Sequence, residues 1–437
     1  MAPRSSLAFA ALLLLPACGA SSSGPTDVPV VAQPAIAQSG LARQTSPVVD
    51  PADAAALADG NTAFALDLHG LLRQSAAGKN LFYSPLSMSL ALGMTYAGAR
   101  GDTAAAMAKA LHFTLPQEKL HPALNQLDLA LASRGQGAKG ADGLPFRLRV
   151  VDSLWGHRAT TFVPGFLDTL ATSYGAGVYL EDFVTAPEAA RTDINAWVGV
   201  QTEKRIPELM PKGSVSSDVR FVIVNAVYFN AGWAEPFLPG ATALKPFHGG
   251  DGSTADVPTM TGNYTHAAYG EGNGWKVVTL PYDGGEVACD IVLPDAGRFD
   301  EIEAAMTPTL LATVRSSQKA RPGTLYLPKF EIKGETFSVR DSLTKLGMGQ
   351  AFSDSADFSG ITTTDHVSLF DVMHQAFVKV DEKGTEAAAA TSVAGGTASA
   401  PVDPPFTMTV DRPFLFFVRD VATGTLLFVG RISSPVG

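Results

Sequence analysis

Apolar positions first recur at helical spacing at Phe64, Leu68, Leu71 and Leu72, which predicts a helix opening the folded part. In Asn80-Leu81-Phe82-Tyr83-Ser84-Pro85-Leu86-Ser87, Ser84 suits the cap and Pro85 the first residue of a second helix. Apolar runs elsewhere predict strands. They include Val287-Ala288-Cys289-Asp290-Ile291-Val292-Leu293, the stretch from Ala376 to Val380, and the stretch from Pro413 onward. Between the last two lies a segment that fits neither a plain loop nor a plain strand.

That segment reads Val380-Asp381-Glu382-Lys383-Gly384-Thr385-Glu386-Ala387-Ala388-Ala389-Ala390-Thr391-Ser392-Val393, followed by Gly395-Gly396 and by Pro401, Pro404 and Pro405. It is too long for an ordinary connection, since structureless links beyond about 12–15 residues are usually functional or disordered. Its alternate positions Thr385, Ala387, Ala389, Thr391 and Val393 carry no charge, and Glu386 takes the other face. This period of two suits a strand buried on one side. The segment reads as a loop that could also become a strand.

Glu382-Lys383-Gly384-Thr385-Glu386-Ala387-Ala388-Ala389-Ala390-Thr391 closely resembles the hinge of the inhibitory serpins. Further segments resemble that family in the same order. Asn80, Ser84, Pro85 and Ser87 match its Asn-x-x-x-Ser-Pro-x-Ser pattern, Phe221 to Phe229 its long central strand with Asn225, and His374 its spacing before the hinge. In serpins these groups meet as a polar cluster, the shutter, where the strands of the main sheet part. Trp233, in Asn230-Ala231-Gly232-Trp233, resembles the tryptophan at the top of that sheet, the breach, where the loop enters. Leu325 to Phe330, Asp357 to Gly360, Asp411 to Val418 and Leu427 to Arg431 are also similar to family segments.

The resemblance implies an α+β fold. It has a large, mainly antiparallel central sheet, further β-sheets, about eight to nine helices and an exposed reactive-centre loop. It implies a suicide-substrate inhibitor of serine or cysteine endopeptidases, one that traps the protease as an acyl-enzyme when the cut loop inserts into the sheet. The implied partner is the target protease, held covalently by a monomeric inhibitor that needs no cofactor or metal. The family's hinge-to-bond length places the reactive bond at Ala398-Ser399, after Thr397, with Ala400 and Val402 the small or aliphatic alternatives within a few residues. A small residue there suits elastase-like or subtilisin-like enzymes. Trypsin-like enzymes are disfavoured, because no Arg or Lys lies between Lys383 and Arg412. The alternative is a non-inhibitory binding protein of the same fold whose loop is only cut. Such proteins tend to carry bulky or charged hinges, whereas this hinge has only Glu386 between Thr385 and Ala394.

Composition narrows the rest. The 437 residues are 46% hydrophobic and 17% charged, enough for a large core, and the net charge of −10 gives no support for nucleic-acid binding. Residues 1–17, with Arg4 and the apolar run Leu7 to Leu15, resemble an export signal too short to span a membrane. Leu15-Pro16-Ala17-Cys18 resembles a lipobox, which implies lipidation of Cys18 and an exported protein, anchored at the outer membrane or released outside the cell. Residues 18–50, rich in Ser, Pro, Gln and Ala, predict a flexible tether, leaving 51–437 as the folded domain. Cys289 is expected to be a buried free thiol. No Gly-x-Ser-x-Gly, His-Glu-x-x-His, Walker loop or paired-cysteine site points to an enzyme.

Overall fold

The computed structural model describes residues 34–333, 336–385 and 404–436. Elements are numbered in chain order. The helices among the described residues are α1 (Pro51–Ser75), α2 (Pro85–Tyr96), α3 (Gly101–Ala110), α4 (Gln117–Ala132), α5 (Pro164–Tyr174), α6 (Pro187–Gln201), α7 (Phe299–Ala304), α8 (Pro308–Ser316) and α9 (Arg340–Lys345). The first sheet runs β1 (Ile36–Ala37), β4 (Val178–Glu181), β3 (Arg147–His157), β5 (Phe221–Gly232), β14 (Gly384–Thr385), β13 (Val372–Asp381), β11 (Phe330–Lys333), with β12 (Phe337–Ser338) also on β13. The second runs β15 (Phe406–Thr409), β10 (Lys319–Pro328), β7 (Thr254–Gly272), β8 (Trp275–Pro281), β9 (Val287–Pro294), β16 (Phe414–Asp420), β17 (Leu426–Ile432), β2 (Leu81–Tyr83). Its remaining strand, β6 (Ala243–His248), lies on β7.

This is the α+β arrangement, mainly antiparallel, that the resemblance implies. Its parallel pairings are β3 with β4, β5 with β13, and β10 with β15. The one between β5 and β13 sits at the centre of the large sheet, and parallel ladders are slightly weaker per residue than antiparallel ones. A parallel seam therefore lies at the centre of the sheet, beside the longer antiparallel ladder of β3 and β5.

Local sequence explains the helices that hold this seam. Asp50 accepts from the Ala52 amide at 2.8 Å and Pro51 starts α1, whose residues Phe64, Leu68 and Leu72 are buried while Leu71 is half-buried. Ser84 caps α2 through the Ser87 amide at 3.2 Å, and Pro85 is its first residue, as the sequence predicts. Every residue of α2 is buried, because the helix packs on β3 and β5 on one side and on β17 on the other. A separate cluster on the opposite face of the large sheet joins Ile194 and Val198 of α6 to Trp155, Val224, Ala226 and Met373. With both faces covered, β5 is buried throughout.

Residues 34–50, expected to belong to the tether, instead lie on the folded unit, which comprises Pro34–Gly437. Ile36–Ala37 pairs antiparallel with β4 at the sheet edge, and Ser39 donates to Asp168. Arg43 reaches Asn125 at 2.9 Å and Asp128 at 2.5 Å on α4. These contacts are backbone and charged ones. They leave no apolar periodicity to read, so composition alone misplaces the boundary. Residues 1–33, with the export signal and Cys18, lie outside the described residues, and no described helix is long and apolar enough to cross a membrane.

Candidate functional site

At the top of the large sheet the chain leaves β13 at Asp381, turns through Glu382 and Lys383, and re-enters the sheet as β14. Gly384 and Thr385 pair antiparallel with both neighbours, opposite Asp381 and Val380 on β13 and opposite Gly232 and Ala231 on β5. Lower down the same two strands pair directly with each other, from Val372 opposite Ile223 to Phe377 opposite Tyr228. The sheet is thus parted at its upper end and closed below, with the first hinge residues wedged into the gap.

The turn is held by several groups at once. Lys329 Nζ lies 2.6 Å from Glu382 Oε1, and the Thr242 hydroxyl donates to the same oxygen at 2.5 Å. Burial works against ionisation of Glu382, but Lys329 and Thr242 outweigh it and hold the carboxyl below its usual range. The Phe237 amide donates to the Glu382 carbonyl at 2.8 Å and the Trp233 amide to that of Lys383 at 2.7 Å. The Trp233 indole donates to the Asp381 carbonyl at 3.0 Å, so the tryptophan flagged in the sequence does sit at the loop's entry. Burial raises the pKa of Asp381, and the Lys383 amide, donating at 3.0 Å, opposes that.

Gly384 is required by close approach: a Cβ there would lie 2.2 Å from the Ala231 carbonyl oxygen and 2.6 Å from Gly232 Cα. Thr385 is fully buried and shares a hydrogen bond of 3.1 Å with the Tyr282 hydroxyl. Tyr282 in turn stacks on Trp233 at 4.5 Å. Nothing in the sequence marks Tyr282 as a partner of the hinge, because it comes from β8's end, 103 residues away. Glu386, Ala387, Ala388, Ala389, Ala390 and Thr391, and the bond Ala398-Ser399, lie outside the described residues.

Beneath the closed part of the seam lies the polar cluster. Asn225 and His374 are register partners on β5 and β13. The Asn225 carbonyl oxygen faces His374 Nδ1 at 2.5 Å and accepts from the Ser87 hydroxyl at 3.0 Å. The Ser84 amide donates to His374 Nε2 at 3.1 Å, so the proton is on Nδ1 and the ring is neutral. Burial pushes the His374 pKa down to about 3. The cluster therefore stitches β5, β13 and the start of α2 together without a net charge on the ring. No group of three His, Cys, Asp or Glu among the described residues could hold a metal ion.

One sequence expectation changes here, and one residue joins the cluster that the sequence reading did not name. Asn80 is not in this cluster: its carbonyl oxygen accepts from the Ser433 and Ser434 amides and its amide donates to Ser434 O at 2.7 Å. It lies before β2, and its side chain fastens the end of the chain. Conversely, Asp152 of β3 belongs to the cluster, since Asn225 Nδ2 donates to its Oδ1 at 2.5 Å. Though not wholly closed off, Asp152 lies deep enough that burial pushes its pKa well up; the Asn225 bond opposes this and the charge of Asp128 adds to it. A lone carboxylate inside the apolar run Val150-Val151-Asp152-Ser153-Leu154-Trp155 is the signal that could have found it. Cys289 is buried and free, as expected, and burial raises its pKa.

Comparison with known proteins agrees with this geometry. The family model described as "Serpin (serine protease inhibitor)" matches residues 59–435. The chain is 35% identical to the leukocyte elastase inhibitor of Homo sapiens, over 87% of this chain and 99% of that protein. It is 34% identical to an uncharacterized serpin-like protein of Thermococcus kodakarensis, over 94% of this chain and 93% of that one. Among solved structures, uncleaved ovalbumin superposes with a TM-score of 0.76 at 26% identity, covering 87% of this chain and all (100%) of that one. Human glycosylated kallistatin does so with a TM-score of 0.74 at 29% identity, covering 88% and 99%. By its fold, its hinge and its relatives, this chain belongs to the serpin family.

Proposed function

We propose that this serpin is inhibitory: a suicide substrate of elastase-like or subtilisin-like endopeptidases. The supporting observation is β14, in which Gly384 and Thr385 already occupy, in antiparallel register, the slot between β5 and β13. The protease nucleophile attacks the carbonyl of the reactive bond, the new amine leaves, and an acyl-enzyme forms. The freed segment then extends β14 downward, replacing the parallel β5–β13 seam with two antiparallel ones. The tethered protease is carried off and distorted before water completes hydrolysis. A new central strand gains about a dozen ladder hydrogen bonds at roughly 0.5–1.5 kcal/mol net each. That rivals the whole stability of an ordinary domain, about 5–15 kcal/mol. The uncut form is therefore held by kinetics.

The small residues near Ala398 and the name of the human relative, an inhibitor of leukocyte elastase, both favour a protease with a shallow specificity pocket. Incubation with elastase and subtilisin, followed by a denaturing gel, tests this: a covalent adduct and a released peptide beginning at Ser399 are expected. Cutting with no adduct and no rise in melting temperature would instead identify a non-inhibitory binding protein of the same fold. We place the protein outside the cytoplasm, monomeric and tethered through a lipidated Cys18. Loss of membrane association in Cys18→Ala is the expected check.

A further inference from the structure

The loop after α6, residues Thr202 to Ile206, crosses the large sheet on the face that α6 covers. It is tightly pinned. Glu203 and Lys204 are successive non-glycine residues with φ of 52° and 62°, a left-handed backbone that persists only where surroundings enforce it. The Lys204 amide donates to the Gly199 carbonyl at 2.7 Å, and the Ile206 amide to the Thr202 hydroxyl at 3.2 Å. The Glu203 carboxylate holds Arg149 at 3.1 Å and Arg147 at 3.6 Å, both on β3. This geometry aims the exposed Arg205 at the central seam. Its guanidinium carbon lies 6.0 Å from the ring centre of Tyr228 on β5 and 5.9 Å from that of Phe377 on β13.

Those two rings are register partners, and they are the uppermost directly paired residues of the seam. The hinge enters three positions higher, where Thr385 faces Ala231 and Val380. Continuing the antiparallel register, Ala388 would arrive opposite both Tyr228 and Phe377. At that point β5 and β13, now about 4.8 Å apart, must stand about twice as far apart to admit a strand. One guanidinium cannot then remain over both rings.

We propose that Arg205 is a rate-setting positioning residue for loop insertion, a clasp over Tyr228 and Phe377 that keeps the seam shut below the hinge. This rests on the insertion reading above. The clasp holds the closed sheet and is released as the strand enters. It therefore raises the barrier to insertion both after cleavage and in the intact protein, and so sets how many encounters end in a trap.

The test uses the full-length protein and a synthetic acetylated peptide of sequence Thr385 to Ala398, which can fill the slot without any protease. The readout is the rate at which a heat-resistant, peptide-loaded form appears. Arg205→Met, which keeps the aliphatic stem and loses the cation, should load faster by roughly fivefold, the size expected for exposed cation–π contacts. In a Phe377→Leu background the same substitution should have little further effect. Equal loading rates for parent and Arg205→Met would overturn the clasp. So would undiminished acceleration in the Phe377→Leu background. If the parent itself never loads peptide and gains no stability on cleavage, the insertion reading fails and the clasp falls with it.

Discussion

Replacing Thr385 by arginine puts a charge at a side chain that is 0% exposed, between β5 and β13 and against the Tyr282 hydroxyl. The lost hydrogen bond costs about 0.5–1.5 kcal/mol. A buried charge with no partner costs about 3–5 kcal/mol more. Tyr282, which bonds the position, and Trp233 stacked on it offer no carboxylate. If about 4 kcal/mol of this appears in the barrier to insertion, insertion slows on the order of a thousandfold. Protease turnover typically runs at about 1–1000 per second, so hydrolysis of the acyl-enzyme then wins. The expected result on a denaturing gel is complete cleavage of Thr385→Arg by elastase with no covalent adduct, while Thr385→Ser, which keeps the hydroxyl, traps like the parent. The intact variant should still melt cooperatively, because the arginine can leave the sheet at the loss of only the short β14. Adduct at the parent's yield would refute the claim that Thr385 must stay buried.

Three further outcomes follow from other contacts. His374 titrates at about 3 folded against 6.5 unfolded, so the unfolded chain binds the extra proton and stability falls as pH drops between those values. Between pH 7 and pH 5 His374 alone should account for a loss of about 2 kcal/mol, read as the difference between the parent and His374→Gln in denaturant titrations; the buried His121, at about 4, contributes with the same sign in both, while Asp152 and Asp381, whose pKa values are raised, act oppositely. Asn225→Ala strands the His374 Nδ1 proton, the Ser87 hydroxyl and Asp152, and should lower the stability of the intact form by about 1–3 kcal/mol in urea titration. Arg43→Ala removes the side-chain bonds from the segment 34–50 to Asn125 and Asp128, leaving the Asn125 amide on the Gln44 carbonyl at 2.7 Å, and should cost about 1 kcal/mol, with faster proteolysis within that segment as the direct readout.

The legible features were local ones. The cap at Ser84 and the proline start of α2 follow from short-range chemistry and appear where the sequence placed them; of the hinge, only Glu382 to Thr385 lie among the described residues. Asn225 and His374 were legible only through the resemblance, since two polar residues 149 apart carry no local sign of meeting. What sequence reasoning missed is set by sheet register. Asp152 joins the cluster because it stands opposite Asn225, and Arg205 reaches Phe377 because β13 lies beside β5. Asn80 went astray for the converse reason: it precedes β2, in the second sheet, and faces the chain's last residues.

Register also explains why one seam of this sheet is suited to opening. Between β3 and β5 ten residue pairs hold the strands antiparallel, whereas β5 and β13 share six parallel ones. The shorter, weaker ladder is therefore the one in which β14 is already seated at the top. On the proposed insertion reading its closure rests on side-chain contacts rather than on the ladder alone, with Asn225 and His374 of the two strands bridging below and Arg205 of the loop after α6 above. Such bonds can be exchanged singly as a strand advances, while the backbone pairs they guard are replaced at each step by two new ones. On the inhibitory reading proposed above, a barrier made of separable side-chain contacts over a downhill backbone exchange would give a protein that waits intact yet, once cut, relaxes in one direction.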